Sequence, residues 1–260
     1  NSYDVGLFGR NNGKIANAGI LDSYFYGTSK VGGMCGNNYT GTISNCYNTG
    51  SVSGIGTAGG VSGYNYTGSI TNCYNTGNVS GSSGFVGGVS GYNSKGTIIN
   101  SYNAGSVSGL EYVGGVSGYN DGGTITNCYN TGSSVSGSGY VGGVNGRNQG
   151  TITNCYNTSS VSGKERYVGG VIGRNESNAT ITNCYYDSAI YTGNAIGAND
   201  GTTEKVEGKT TEQFKTGEVA YLLQNGQSEE IWGQTIGTDT YPVLHGPKVY
   251  KSITYMGCND

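Results

Sequence analysis

The chain has 260 residues, of which 51 are glycine, 23 are tyrosine and only 2 are proline; 13 Lys+Arg against 16 Asp+Glu leave a net charge of -3. Glycine at about 20% against a usual ~7%, with few charges and modest aliphatic content, would suit disorder, but disorder also needs a high net charge, which is absent. With no basic field for phosphates and no apolar run near the ~20 residues of a membrane span, nucleic-acid binding and membrane insertion of this segment are both excluded.

From the N-terminus, Val5-Gly-Leu-Phe-Gly-Arg-Asn11 is already the middle of a repeating unit, so the chain reads as part of a longer one. Gly-Gly pairs then begin at Gly32, Gly59, Gly87, Gly114, Gly142 and Gly169, 27 or 28 residues apart. With a degenerate unit around Ile15, the period gives about seven turns. A fixed period of this length with no room for a helix predicts stacked coils. Within one unit the β signals fall in three pieces, Ser69 to Tyr74, Asn78 to Ser80 and Phe85 to Ser90, parted by Gly, Asn, Thr and Ser. Three strands per coil, hydrogen-bonded to the coils above and below, make an all-β parallel β-helix, or β-solenoid.

Side-chain parity assigns the faces. In Thr124-Ile125-Thr126 and its counterparts the isoleucine (Ile43, Ile70, Ile98, Ile125, Ile152, Ile181) points inward and the threonines outward. The next small apolar residue, Cys46, Cys73, Cys128, Cys155 or Cys184, comes three positions later, the wrong parity for a straight strand. A corner must intervene. Asn45, Asn72, Asn100, Asn127, Asn154 and Asn183 sit there, and asparagine tolerates the left-handed conformation a corner needs. The cysteines, with Ser101 substituting in one coil, read as a column of free buried thiols, since aligned neighbours meet the geometry of a disulfide poorly. Cys35 is expected to point outward, and the pairing of Cys35 and Cys258 is open.

Past Tyr185 the repeat stops. Thr210-Thr-Glu-Gln-Phe214 and Glu218 to Gly226 predict one or two short helices, with Thr210 and Gln213 as a capping box and Gly226 as a stop. Trp232 and Tyr241-Pro-Val-Leu244 add bulk that the repeats lack. Residues 1–187 are therefore the solenoid, and 188–260 a small α+β region that caps the last coil.

The unit Gly-x-Ile-x-Asn-Cys-Tyr-Asn-x-Gly-x-Val-x-Gly with Val-Gly-Gly-Val-x-Gly-x-Asn resembles the GLUG repeat of bacterial surface proteins over about residues 5–187, and the tail looks like the segment that often closes such arrays. The resemblance implies a secreted or wall-anchored, adhesin-like protein at the cell surface. Some relatives are immunoglobulin A1 proteases carrying these repeats beside a zinc catalytic domain. That domain needs His-Glu-x-x-His, and His245 is the only histidine here.

Chemistry is sparse. No clustered ligands suggest a metal, and no cofactor is expected. β-Helical polysaccharide-active enzymes group acids on one face. Here Asp4, Asp22, Glu111, Asp121, Glu165, Glu176 and Asp187 are scattered, and the expectation is a non-enzyme. Asn-x-Ser/Thr sites arise by chance in so Asn-rich a chain and carry no weight. Two columns are more suggestive. Tyr47, Tyr74, Tyr102, Tyr129, Tyr156 and Tyr185 should line up facing solvent, and Phe85, Tyr112, Tyr140 and Tyr167 form another. Such ladders either grip a host glycan or matrix protein or simply brace the coils. The alternative face is the pair of threonine columns Thr124/Thr126, Thr151/Thr153 and Thr180/Thr182, which resembles the Thr-x-Thr surface of ice-binding solenoids.

Overall fold

A computed structural model describes residues 3–164, 167–224 and 226–250. The repeat is a parallel β-solenoid of about seven coils, and every sheet of the solenoid is built from strands one coil apart. Each coil contains five short strands rather than three. In one coil these are Thr97–Ile99, Tyr102–Asn103, Val107–Ser108, Tyr112–Gly114 and Ser117–Asp121. The two longer pieces expected from sequence are each broken by a bend. Corner asparagines Asn45, Asn72, Asn100, Asn127, Asn154 and Asn183 have φ of 49° to 54°, which turns the chain between the isoleucine strand and the Tyr-Asn strand. The Gly-Gly pair separates Phe85–Gly87 from Ser90–Ser94, which join different sheets.

Register is strict. Ile43, Ile70, Ile98, Ile125, Ile152 and Ile181 are direct partners in successive coils, and all are fully buried. Cys46, Cys73, Ser101, Cys128, Cys155 and Cys184 are buried beside them, as is a column of valines including Val61, Val89, Val116, Val144 and Val171. A second apolar column runs through Val52, Val79, Val107 and Val135 with Val86, Val113 and Val141. No single coil holds enough apolar surface to fold alone, so the core exists only by stacking.

Between these apolar columns run two buried amide ladders. Asn48, Asn75, Asn103 and Asn130 each donate a side-chain N–H to the Oδ1 of the next asparagine, ending at Asn157, at 2.8–2.9 Å. Asn11, Asn38, Asn65, Asn93, Asn120, Asn148, Asn175 and Asn199 repeat the pattern at 2.7–3.0 Å. The second N–H serves the local turn, as where Asn103 Nδ2 lies 2.7 Å from the Gly105 carbonyl. Buried amides are stable only when paired, and identical residues in register pair automatically.

The Gly-Gly pair follows from this packing. A methyl group on Gly87 would lie 2.0 Å from the Ser90 carbonyl oxygen, and one on Gly88 would lie 2.3 Å from Asn103 Cγ and 2.1 Å from the Gly115 oxygen.

Two expectations are corrected. Cys35 is not outward: it occupies the buried column of Ser62, Ser90 and Ser117, because the residue after each inward valine also turns inward at the bend. The ladder also runs past residue 187. Ile196–Asn199 pairs with Ile172–Asn175, and Thr202–Lys209 pairs in parallel with Thr180–Asp187. A further coil thus forms from a sequence that no longer repeats.

The remaining tail carries α1 (Thr211–Lys215) and α2 (Glu218–Gln224), and the Thr210/Gln213 capping box is formed. Instead of lying across the end of the solenoid, it folds back along a flank of the last coils. Phe214, Val219, Leu223, Ile231 and Trp232 form one cluster there with Tyr129, Tyr156 and Tyr185.

Candidate functional site

The first tyrosine column forms as a ladder of near-parallel rings, with centroids 4.7–5.1 Å apart from Tyr47 through Tyr74, Tyr102 and Tyr129 to Tyr156. It does not face solvent throughout. Trp232 packs 5.9 Å from Tyr129 and 5.6 Å from Tyr156, and Phe214 lies 5.8 Å from Tyr156. Tyr156 donates its hydroxyl to the Pro242 carbonyl at 2.6 Å, and Tyr185 donates to Asn183 Oδ1 at 2.5 Å. Burial pushes the hydroxyls of Tyr129, Tyr156 and Tyr185 above the ordinary tyrosine range. These three rings therefore anchor the tail, and only Tyr47, Tyr74 and Tyr102 keep partial exposure. Sequence parity placed the column outside correctly, but it could not reveal that the tail returns to cover it.

The threonine columns are in register from Thr124 to Thr151 to Thr180, and from Thr126 to Thr153 to Thr182. Ile99 precedes Thr126 and Glu204 follows Thr182, so the regular pair spans three coils.

The open aromatic surface lies elsewhere, where two adjacent columns meet. One runs from Lys30 and Thr57 through Phe85 and Tyr112 to Tyr140, with Tyr167 stacked on Tyr140 at 4.6 Å. The other runs Arg10, Asn37, Tyr64, Tyr92, Tyr119, Arg147 and Arg174. This second column had a signal that sequence reasoning passed over: Tyr64, Tyr92 and Tyr119 recur five residues after the first glycine of each Gly-Gly pair. Tyr64 and Tyr92 stack at 4.9 Å, whereas Tyr92 and Tyr119 meet edge to face at 85°. Tyr119 instead leans over Phe85 at 5.5 Å and Tyr112 at 5.9 Å. Beside these rings lies a groove of about 450 Å³ lined by Lys30, Thr57, Tyr64, Phe85, Tyr92 and Tyr119.

Charges frame this surface. Lys30 lies 4.9 Å over the Tyr64 ring and 3.7 Å from Asp4. Arg147 lies 5.3 Å over Tyr119, and Arg174 lies 5.5 Å over Tyr167. Both arginines pair with Glu176, at 2.8 and 2.9 Å. Burial alone would raise the Glu176 carboxyl, but the hydrogen bonds from Arg174 and Arg147 outweigh it and hold the group below its ordinary value. Tyr92 donates to Asp121 at 2.7 Å, and burial together with that carboxylate raises its hydroxyl.

Among the described residues, three of the solenoid acids are committed to structural partners. Glu176 is committed to two arginines, Asp121 accepts from Tyr92, and Asp187 accepts from Thr211 and Tyr241 at 2.7 and 3.0 Å. Glu111 is exposed on a turn, and its repeat partner Glu165 lies outside the described residues. Among the described residues no group of three His, Cys, Asp or Glu could hold a metal ion, and no helix is long and apolar enough to cross a membrane. The six described cysteines are unbonded and buried, and Cys258 lies outside the described residues. Burial pushes the Cys35 thiol up to about 11 and those of Cys155 and Cys184 well above the usual range.

Comparison with known proteins agrees with this architecture. The GLUG motif matches residues 54–80, 109–136 and 165–190, each about one full coil. No curated protein matches the chain. A crystal structure of a candidate immunoglobulin A1 protease from Bacteroides ovatus superposes with a TM-score of 0.66 at 25% identity, covering 89% of this chain and 75% of the other. The chain is thus a parallel β-solenoid, three coils of which match the GLUG motif.

Proposed function

We propose that the chain is a non-catalytic, extracellular or cell-surface solenoid, an adhesin or stalk segment of a larger bacterial protein, which binds a host glycan or matrix protein through its open aromatic face. The observation that carries this reading is the double column of Phe85, Tyr112 and Tyr140 beside Tyr64, Tyr92 and Tyr119. Its rings stay partly exposed along several coils while the other tyrosine column is half covered by the tail. Rigid aromatic area rimmed by hydroxyls and charges is what recognition surfaces use, because little side-chain entropy is lost on contact. The dispersal of the acids into structural pairs supports a role without catalysis. The GLUG repeats and the likeness to a candidate immunoglobulin A1 protease support a location outside the cell.

The threonine face is the weaker candidate, since three regular coils offer a short template. Screening the chain on glycan and matrix-protein arrays, beside a variant carrying Tyr92→Ser, Tyr112→Ser and Tyr119→Ser, tests the proposal. Binding that the folded variant loses is expected; binding that it keeps contradicts the assigned face.

A further inference from the structure

We propose that the groove at Thr57 is a subsite for one pyranose ring of a neutral glycan. This rests on the reading of the aromatic face as a binding surface. Lys30 and Thr57 are register partners, as are Phe85, Tyr112 and Tyr140 in succession, and the pairing of Ala58 with Val86 puts Thr57 one coil before Phe85; Phe85 lies tilted 5.0 Å from Tyr112, which stacks on Tyr140 at 4.9 Å. Thr57 stands one coil before Phe85, where the ladder would continue with another ring. The column is therefore missing a ring there, and the groove of about 450 Å³ marks that place. The volume lies within the ~300–1,000 Å³ typical of small-molecule sites.

The walls identify the occupant. Phe85, Tyr64, Tyr92 and Tyr119 supply aromatic surface, and the turn residues Gly56 and Gly84 add no side chain to the gap. The remaining lining is polar: Ser29, the Thr57 hydroxyl and the Lys30 ammonium. Thr57 Oγ1 donates to the Ser29 carbonyl at 3.2 Å and keeps acceptor capacity. A wholly apolar ring would strip water from these groups without replacing it. A pyranose offers a C–H face to the ring wall and hydroxyls to the rim, and so satisfies both. Charge argues for a neutral sugar. Lys30 already has Asp4 at 3.7 Å, and Asp121 sits behind the Tyr92 hydroxyl at 2.7 Å, so the gap offers no surplus positive charge to a carboxylate.

The test is calorimetric titration of the whole chain with four probes: cellotetraose, β-1,4-galactotetraose, tri-galacturonate and N-acetyltyrosine amide. Thr57→Tyr should complete the ladder and fill the gap from within. Binding of at least one neutral oligosaccharide is expected, weakened about tenfold or more by Thr57→Tyr while the melting temperature holds or rises. Phe85→Leu removes the ring wall but keeps apolar bulk, and should weaken the same probe even if Thr57→Tyr misfolds. Preference for the uronate, preference for the tyrosine derivative, no binding of either neutral probe, or neutral binding untouched by both substitutions would overturn the subsite. Array binding that survives Thr57→Tyr but is lost with Tyr92, Tyr112 and Tyr119 would leave the adhesive face standing without it. Loss of neither would remove both.

Discussion

Asn75 donates its side-chain amide to Asn103 Oδ1 at 2.8 Å, across the boundary between two coils and inside the protein. Asn103 passes the pattern on to Asn130 at 2.8 Å and donates to the Gly105 carbonyl at 2.7 Å, so truncating it takes the acceptor from an Asn75 N–H and the side-chain donor from Gly105. Asn103→Ala should cost about 1–3 kcal/mol, the penalty for unsatisfied buried groups, read from the denaturant midpoint at unchanged slope. Asn72→Ala, at an exposed corner, removes a 3.3 Å contact to Asn45 and tests the φ preference of the corner instead.

The Gly-Gly pair is predicted to be intolerant for steric reasons. Gly88→Ala would drive a methyl group against Asn103 and the Gly115 carbonyl, and should cost about 3 kcal/mol. Gly13→Ala meets nothing within 4 Å and should be close to neutral. Equal thermal shifts for the two would contradict this account of the glycine content.

Trp232 fixes the tail to the tyrosine ladder. Trp232→Ala should lose about 3–5 kcal/mol of local stability. Hydrogen exchange should speed up in residues 211–244, and the rings of Tyr129 and Tyr156 should become accessible, while the coils around Ile43 and Ile70 keep their protection. Uniform loss of protection along the chain would show instead that tail and solenoid unfold as one unit.

Glu176 gives a pH signature. Its folded value is depressed, so its contribution is fully present above the unfolded value near ~4.3 and is lost as pH falls through the folded value. Wild type should exceed Glu176→Gln in stability at neutral pH, and the two should converge in acid. A gap that widens in acid would have the wrong sign.

The thiols should be silent in the native state. The six described cysteines are buried and unbonded, and Cys35, Cys155 and Cys184 are held protonated by burial. Thiol titration without reductant should therefore find these six only after denaturation.

Periodicity made most of the solenoid legible, because in-register stacking turns every structural requirement into a column. Parity placed the isoleucines, and the break in parity before the ladder cysteines located the corner asparagines. The amide ladders could not, since Asn48 and Asn65 look like loop residues until their partners a coil away are seen. Nor could the extra coil, because Thr202–Lys209 pairs through its backbone without repeating the sequence. The site was half legible. Parity put both aromatic columns on the surface, yet covering by Trp232 and Phe214 is a long-range contact that no local pattern encodes. The column of Tyr64, Tyr92 and Tyr119 was present in the spacing, hidden by the stronger Asn-Cys-Tyr-Asn signal.

The most direct test of the proposed face is tyrosine-selective nitration mapped by mass spectrometry, with and without a bound array hit. Protection of Tyr64, Tyr92, Tyr112 and Tyr119, with Tyr47 and Tyr74 reacting as before, is the predicted result. Protection confined to Tyr47, Tyr74 and Tyr102, or no change at any ring, would contradict it.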